Sequence, residues 1–173
     1  MKTRKGYLLL ESIISLFIIV TISLSLYSFL FFSNKYKKTI EDNVELYEQG
    51  EEMCYQINKV IENSDEIISI CDLNGNTIRG NTSSYIKINS IKCKYKNKYR
   101  NVKDKEVSYK SNKKLFINTL SNRGNSEIGG YEIGDYVDFM SVMIENNKVS
   151  VKLNLSKNDE KYETNFKSYI KDF

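Results

Sequence analysis

The chain has 173 residues and contains no histidine, proline or tryptophan, which leaves room for one ordinary domain plus one further long element. Imidazole-based acid–base and triad chemistry is therefore excluded. The formal charge of +4 is concentrated at the N-terminus: without Lys2, Arg4 and Lys5, the 26 basic residues fall to 23 against 22 acidic ones, too even a balance for whole-surface attraction to nucleic acid.

The first element is the most informative. A basic stub, Met1 to Lys5, ends at Gly6, and the 26 residues from Tyr7 to Phe32 then carry one charge, Glu11. An apolar run longer than about 18 residues predicts a membrane-spanning helix, and at ~1.5 Å per residue this one would measure roughly 39 Å. A carboxylate inside such a run is costly and marks a functional position. Glu11 is the fifth residue of the run, which begins after the only glycine before residue 50. Lys35, Lys37 and Lys38 after the span balance Lys2, Arg4 and Lys5 before it, so charge alone does not orient it.

Lys5-Gly6-Tyr7-Leu8-Leu9-Leu10-Glu11 resembles the class III signal of type IV pilins and pseudopilins, with Tyr7 where that family usually has phenylalanine. The resemblance covers about the first 32 residues. It implies that a prepilin peptidase cuts between Gly6 and Tyr7, that the new Tyr7 amine is N-methylated, and that Glu11 serves subunit assembly by accepting a neighbouring subunit's N-terminal amine. It also implies a minor subunit of a pilus, competence or secretion machine, with other pilin subunits as partners. Such a subunit starts as a single-pass protein of the cytoplasmic membrane, with its C-terminal domain extracellular, and ends in a cell-surface filament. An ordinary secretory signal fits poorly: its small-x-small cleavage site should follow the apolar core, and the chain contains no alanine. The rival from another class is a single-span anchor carrying an extracellular binding domain with no filament role.

From Tyr36 to about Asn63 the helical period continues. Tyr36, Ile40, Val44, Tyr47, Cys54, Ile57 and Ile61 recur at intervals of three, four or seven and predict one apolar stripe, with Glu41, Asp42, Glu45, Glu48, Glu51 and Glu52 mostly on the other face. Gly50 lies close to the stripe and could mark a bend or a tight contact. The predicted organisation is a leader over 1–6, a membrane or filament-core helix over 7–33, its amphipathic continuation over 34–64, and a β-rich globular domain over 65–173.

Beyond Glu66 short β-rich runs alternate with Asn, Gly and Ser. Asp72-Leu73-Asn74-Gly75-Asn76 predicts a hairpin turn; as a calcium loop it fails, because the twelfth position is Ser83. From Tyr85 to Tyr99, Ile91, Cys93, Tyr95 and Tyr99 alternate with Lys92, Lys94, Lys96, Lys98 and Arg100, placing the basic five on one strand face. Residues 87–114 hold eleven basic residues against Asp104 and Glu106. Two readings stand: a polyanion surface, with DNA as partner in a competence role, or a solvated face that protects a sheet edge. Cys54, Cys71 and Cys93 leave one thiol over in any pairing; Cys71–Cys93 is the preferred disulfide, and three buried thiols are the alternative. Without histidine or close cysteine spacing, a zinc site is not expected.

Residues 111–134 contain Leu115-Phe116-Ile117 and then a polar, glycine-rich stretch, Ser121 to Ser126, that reads as a loop. The last third predicts a three-stranded meander. Met140, Val142 and Ile144 form one apolar edge, Val149, Val151, Leu153 and Leu155 the next, and Tyr162, Thr164, Phe166, Ser168 and Ile170 the third. Ile128-Gly129-Gly130 lacks the lysine and spacing of a phosphate loop, and Asp135 and Asp138 read as solvent-facing. The expectation is therefore an α+β fold, a long helix packed on an antiparallel sheet in a pilin-like way, with no enzymatic activity and no cofactor.

Overall fold

The computed structural model describes residues 3–78, 80–95, 103–121, 124–127 and 129–169. One helix, α1 (Thr3–Glu62), is followed by nine strands: β1 (Glu66–Asp72), β2 (Thr77–Ile78), β3 (Ile86–Lys94), β4 (Lys105–Lys110), β5 (Lys114–Thr119), β6 (Tyr131–Gly134), β7 (Val137–Glu145), β8 (Lys148–Lys157) and β9 (Glu160–Tyr169). The α+β class is thus observed. The chain divides into two compact units, 1–41 and 42–173, and α1 contributes to both.

In the first unit, α1 is long and apolar enough to cross a membrane. Every large apolar side chain from Tyr7 to Phe32 is exposed, the least so being Val20 at 47 %. Four of the six serine and threonine hydroxyls in this stretch are turned back onto the helix: Ser12 donates to the Leu9 carbonyl at 2.9 Å, Thr21 to Phe17 at 2.8 Å, Ser23 to Ile19 at 2.8 Å and Ser25 to Thr21 at 2.9 Å. Such back-bonding satisfies hydroxyl donors without water, which hydrocarbon surroundings require.

In the second unit, the rest of α1 buries one face against an antiparallel sheet of order β6-β5-β4-β3-β7-β8-β9, with β1 pairing both β3 and β2. The buried helical residues are Leu46, Met53, Cys54, Ile57, Val60 and Ile61. This corrects the expected stripe: Ile57 and Ile61 lie in the core, but Tyr36, Ile40, Val44 and Tyr47 are exposed. The buried line instead passes through Asp42, Leu46, Gly50 and Met53. Gly50 brings the helix close to β9, and Gly134 is packed against Met53. Just past the helix end, the Ser64 hydroxyl donates to the Ile61 carbonyl at 2.6 Å.

The expected hairpin joins β1 and β2. Asp72 N donates to the Asn76 carbonyl at 2.9 Å, the Asp72 carboxylate accepts from the Asn74 and Asn76 amides at 2.8 Å, and Gly75 takes φ +83°. The meander is also as expected: β7 pairs with β8 and β8 with β9, with Val142 opposite Val151 and Val151 opposite Phe166. Strands that were not singled out from the sequence flank the glycine-rich stretch read as a loop. β4 and β5 form a hairpin with Val107 opposite Ile117, and β6 adds to β5. Val107, Leu115 and Ile117 are buried, while the alternate residues are polar or charged except for Phe116.

Candidate functional site

The N-terminal motif lies at the start of α1. The Gly6 backbone is helical, Tyr7 is exposed, and Glu11 follows one helical turn later, so Tyr7 and Glu11 share a face. Among the described residues Glu11 forms no hydrogen bond or ion pair. It is the single charge between Tyr7 and Phe32, and an unpaired carboxylate in an apolar setting is costly.

The basic strand face is partly neutralised within the domain. Lys92 Nζ lies 3.8 Å from the Glu106 carboxylate and donates to the Gly124 carbonyl at 3.4 Å; Lys94 lies 3.3 Å from Glu66. Lys96, Lys98 and Arg100 lie outside the described residues. Two of the five candidate polyanion ligands therefore already face carboxylates.

The expected Cys71–Cys93 disulfide is corrected: all three cysteines are free thiols. Cys71 stands opposite Ser90 and Cys93 opposite Ile67, so the two are offset by three residues along β3. At ~3.4 Å per residue that is about 10 Å, beyond the roughly 7 Å limit for a bridge. Burial pushes the Cys54 thiol up to about 11, against a hydrogen bond with Thr164. Burial likewise raises Cys93 to about 12. Both behave as small core residues.

A charged cluster that the sequence reading did not single out fixes the start of the second unit. Asp42 is 6 % exposed. It accepts from Lys157 Nζ at 3.0 Å and from Asn158 Nδ2 at 2.7 Å. Lys157 also pairs with Glu45. The hydrogen bond from Lys157, then that from Tyr136, holds the Glu45 carboxyl below its ordinary value. The bonds to Glu45 and Asp42 raise Lys157 in turn. Tyr136 has φ +66°, a left-handed conformation costly for an aromatic residue. Lys157 sits 5.2 Å from the centre of its ring, and Gln49 Oε1 accepts from the Asp135 amide at 3.0 Å. The only sequence signal was Asp42 at a helical position shared with Leu46, and among this many lysines and glutamates it carried no information.

Among the described residues, no group of three or more carboxylates and cysteines is placed to hold a metal ion. No family model, curated protein or solved structure matches the chain.

Proposed function

We propose that the chain is a minor pilin or pseudopilin. A prepilin peptidase removes residues 1–6 by cutting between Gly6 and Tyr7, and the Tyr7 amine is then methylated. The apolar half of α1 holds the protein in the cytoplasmic membrane, with the β-rich domain outside, until it joins or primes a type IV pilus-like filament.

The observation that carries this reading is Glu11: one carboxylate, five residues after Gly6, with no hydrogen bond or ion pair among the described residues, in a helical stretch, Tyr7 to Phe32, whose large apolar side chains are all exposed. A simple anchor accounts for the apolar length but not for a carboxylate there. A neighbouring subunit's N-terminal amine would supply the missing cation, and that amine exists next to the apolar run only after cleavage before Tyr7. A DNA-uptake role draws less support, because Lys92 and Lys94 face Glu106 and Glu66.

The test is the mature N-terminus. Co-expression with a prepilin peptidase should yield a product beginning at methylated Tyr7, and replacing Gly6 with a bulky residue should block the cut. Intact Met1 in the native host, or a start after Phe32, would overturn the reading in favour of a plain anchor or an ordinary secretory signal.

A further inference from the structure

On the sheet face turned away from α1, β3, β4 and β5 floor a cavity of about 470 Å³, with Ser126, Glu127, Gly129 and Gly130 along its other side. That volume falls within the roughly 300–1,000 Å³ range of small-molecule sites. Register explains the lining. Ser90 is opposite Ser108, and Ser108 is opposite Phe116, so three adjacent strands present two hydroxyls and one aromatic ring in a row. Asn118 extends the row, donating from Nδ2 to Ser108 Oγ at 2.9 Å. That bond occupies an acceptor position on Ser108 and leaves its proton free to donate.

Three features define the chemistry of a ligand that fits the cavity. Ser90 is only 5 % exposed as a residue, but it lines the cavity, and its hydroxyl, which forms no hydrogen bond among the described residues, is open to the cavity and able to bond with a ligand there. The charges in the lining are already matched: Glu106 has Lys92 at 3.8 Å and the Ser126 hydroxyl, and Glu127 has Lys103 at 2.6 Å. A polyanion would find few free cations there, and a cation no free carboxylate. Finally, the half-buried ring of Phe116 lines the cavity, with the exposed Lys110 ammonium 4.1 Å from its centroid.

Neutral, rich in hydroxyls and apolar on one face describes a sugar ring. We propose that this cavity binds a neutral sugar, free or at the end of a glycan. Its C–H face would lie on Phe116 and its hydroxyls would bond with Ser90, Ser108 and Asn118, while Lys110 swings aside to donate to a further hydroxyl. The proposal does not rest on the filament reading, since it concerns only the sheet of the second unit.

The experiment is a titration of the ¹⁵N-labelled full chain in a phosphocholine-headgroup detergent, which carries no sugar. The probes are glucose, galactose, N-acetylglucosamine and its linear tetramer, with inorganic phosphate as the anion control. At least one sugar should give saturable shifts of the Ser90, Ser108, Phe116 and Asn118 amides in the millimolar range, and phosphate should give none. Ser90→Ala should weaken binding about five- to tenfold, the loss of one hydrogen bond, with little change in thermal stability, because the hydroxyl makes no hydrogen bond among the described residues. Phe116→Ala should weaken it further. Tighter binding of the tetramer than of the monomer would identify a glycan as the source, and equal affinity a free sugar. The proposal is overturned by the absence of saturable shifts with every sugar, by phosphate binding in their place, or by affinities unchanged in Ser90→Ala.

Discussion

A carbon added to Gly50 would stand 2.7 Å from Cε1 of Tyr162, closer than real side chains approach one another. Tyr162 is not free to retreat: its hydroxyl bonds to Glu51 at 3.1 Å, and its ring makes a T-shaped contact with that of Tyr47, centroids 5.6 Å apart. Gly50 thus sets how closely α1 approaches β9.

Gly50→Ala therefore sets two effects against each other. Helix propensity favours alanine by about 1 kcal/mol, while forced repacking costs about 1–3 kcal/mol. We expect a net loss of stability in denaturant titrations of the full chain in detergent. In a Tyr162→Ala background the obstruction is gone, and the same change should become stabilising by about 1 kcal/mol. If Gly50→Ala has the same effect in both backgrounds, the contact does not govern helix placement.

Lys157 links two carboxylates on α1 to the end of β8, and its removal should be felt in a defined pH window. Glu45 is held below its ordinary 4.5 by Lys157 first and Tyr136 second. Glu163 is lowered from 4.5 by Lys152 first and Asn154 second. At Asp138, burial pushes upward but is outweighed by bonds from Lys113 and Ser156. Carboxyls lowered on folding stabilise the native state above their unfolded values, and that gain is lost as pH falls through the folded values. The melting temperature should therefore drop below about pH 4.5. Lys157→Met should melt lower at neutral pH, and its deficit should narrow as the solution becomes acidic. A deficit that is constant with pH would show that Lys157 acts through packing alone.

The thiols provide a check on strand register. Iodoacetamide should label the half-buried Cys71 in the native chain and spare Cys54 and Cys93, which are 7 % and 0 % exposed. All three should react in urea. An intact mass lower by two hydrogens under non-reducing conditions, with Cys71 and Cys93 joined, would mean that β1 and β3 pair in a different register.

Legibility in the sequence followed the strength of the apolar pattern. The meander could be read because Val142, Val151, Leu153 and Leu155 alternate with polar residues, and only one pairing buries them all. The reach of α1 could be read because no proline interrupts it. Which face it buries could not: Tyr36, Ile40, Val44 and Tyr47 recur as regularly as Asp42, Leu46, Gly50 and Met53. The choice was made by close packing at Gly50 and by Lys157 reaching Asp42, both depending on strands more than a hundred residues away. The β4–β5 hairpin was hidden because Val107, Leu115 and Ile117 are thinly spaced among lysine, serine and asparagine. The sugar cavity left no motif, since its lining is assembled by register from three strands. The Gly6-Tyr7-Glu11 arrangement, by contrast, is entirely local and was legible from the start.

Glu11 supports the most discriminating prediction. It is the single charge between Tyr7 and Phe32, and on a plain anchor a carboxylate there only opposes insertion. Glu11→Leu should then be neutral for an anchor, or should strengthen its hold on the membrane. For a filament subunit the same change should leave insertion and cleavage at Gly6 intact but reduce assembly, because a neighbour's Tyr7 amine would be buried without its counter-charge. Removing one member of a buried pair costs more than the pair contributes when both are present, about 3–5 kcal/mol. The measurement is the share of mutant protein in the sheared filament fraction, or bound to partner subunits, relative to its level in the membrane. Glu11→Gln separates charge from shape: it retains hydrogen bonding and size, so it should also assemble poorly if the attraction is ionic. If Glu11→Leu assembles as well as the native chain at equal membrane level, the assembly role assigned to Glu11 is wrong, even where the peptidase cuts before Tyr7.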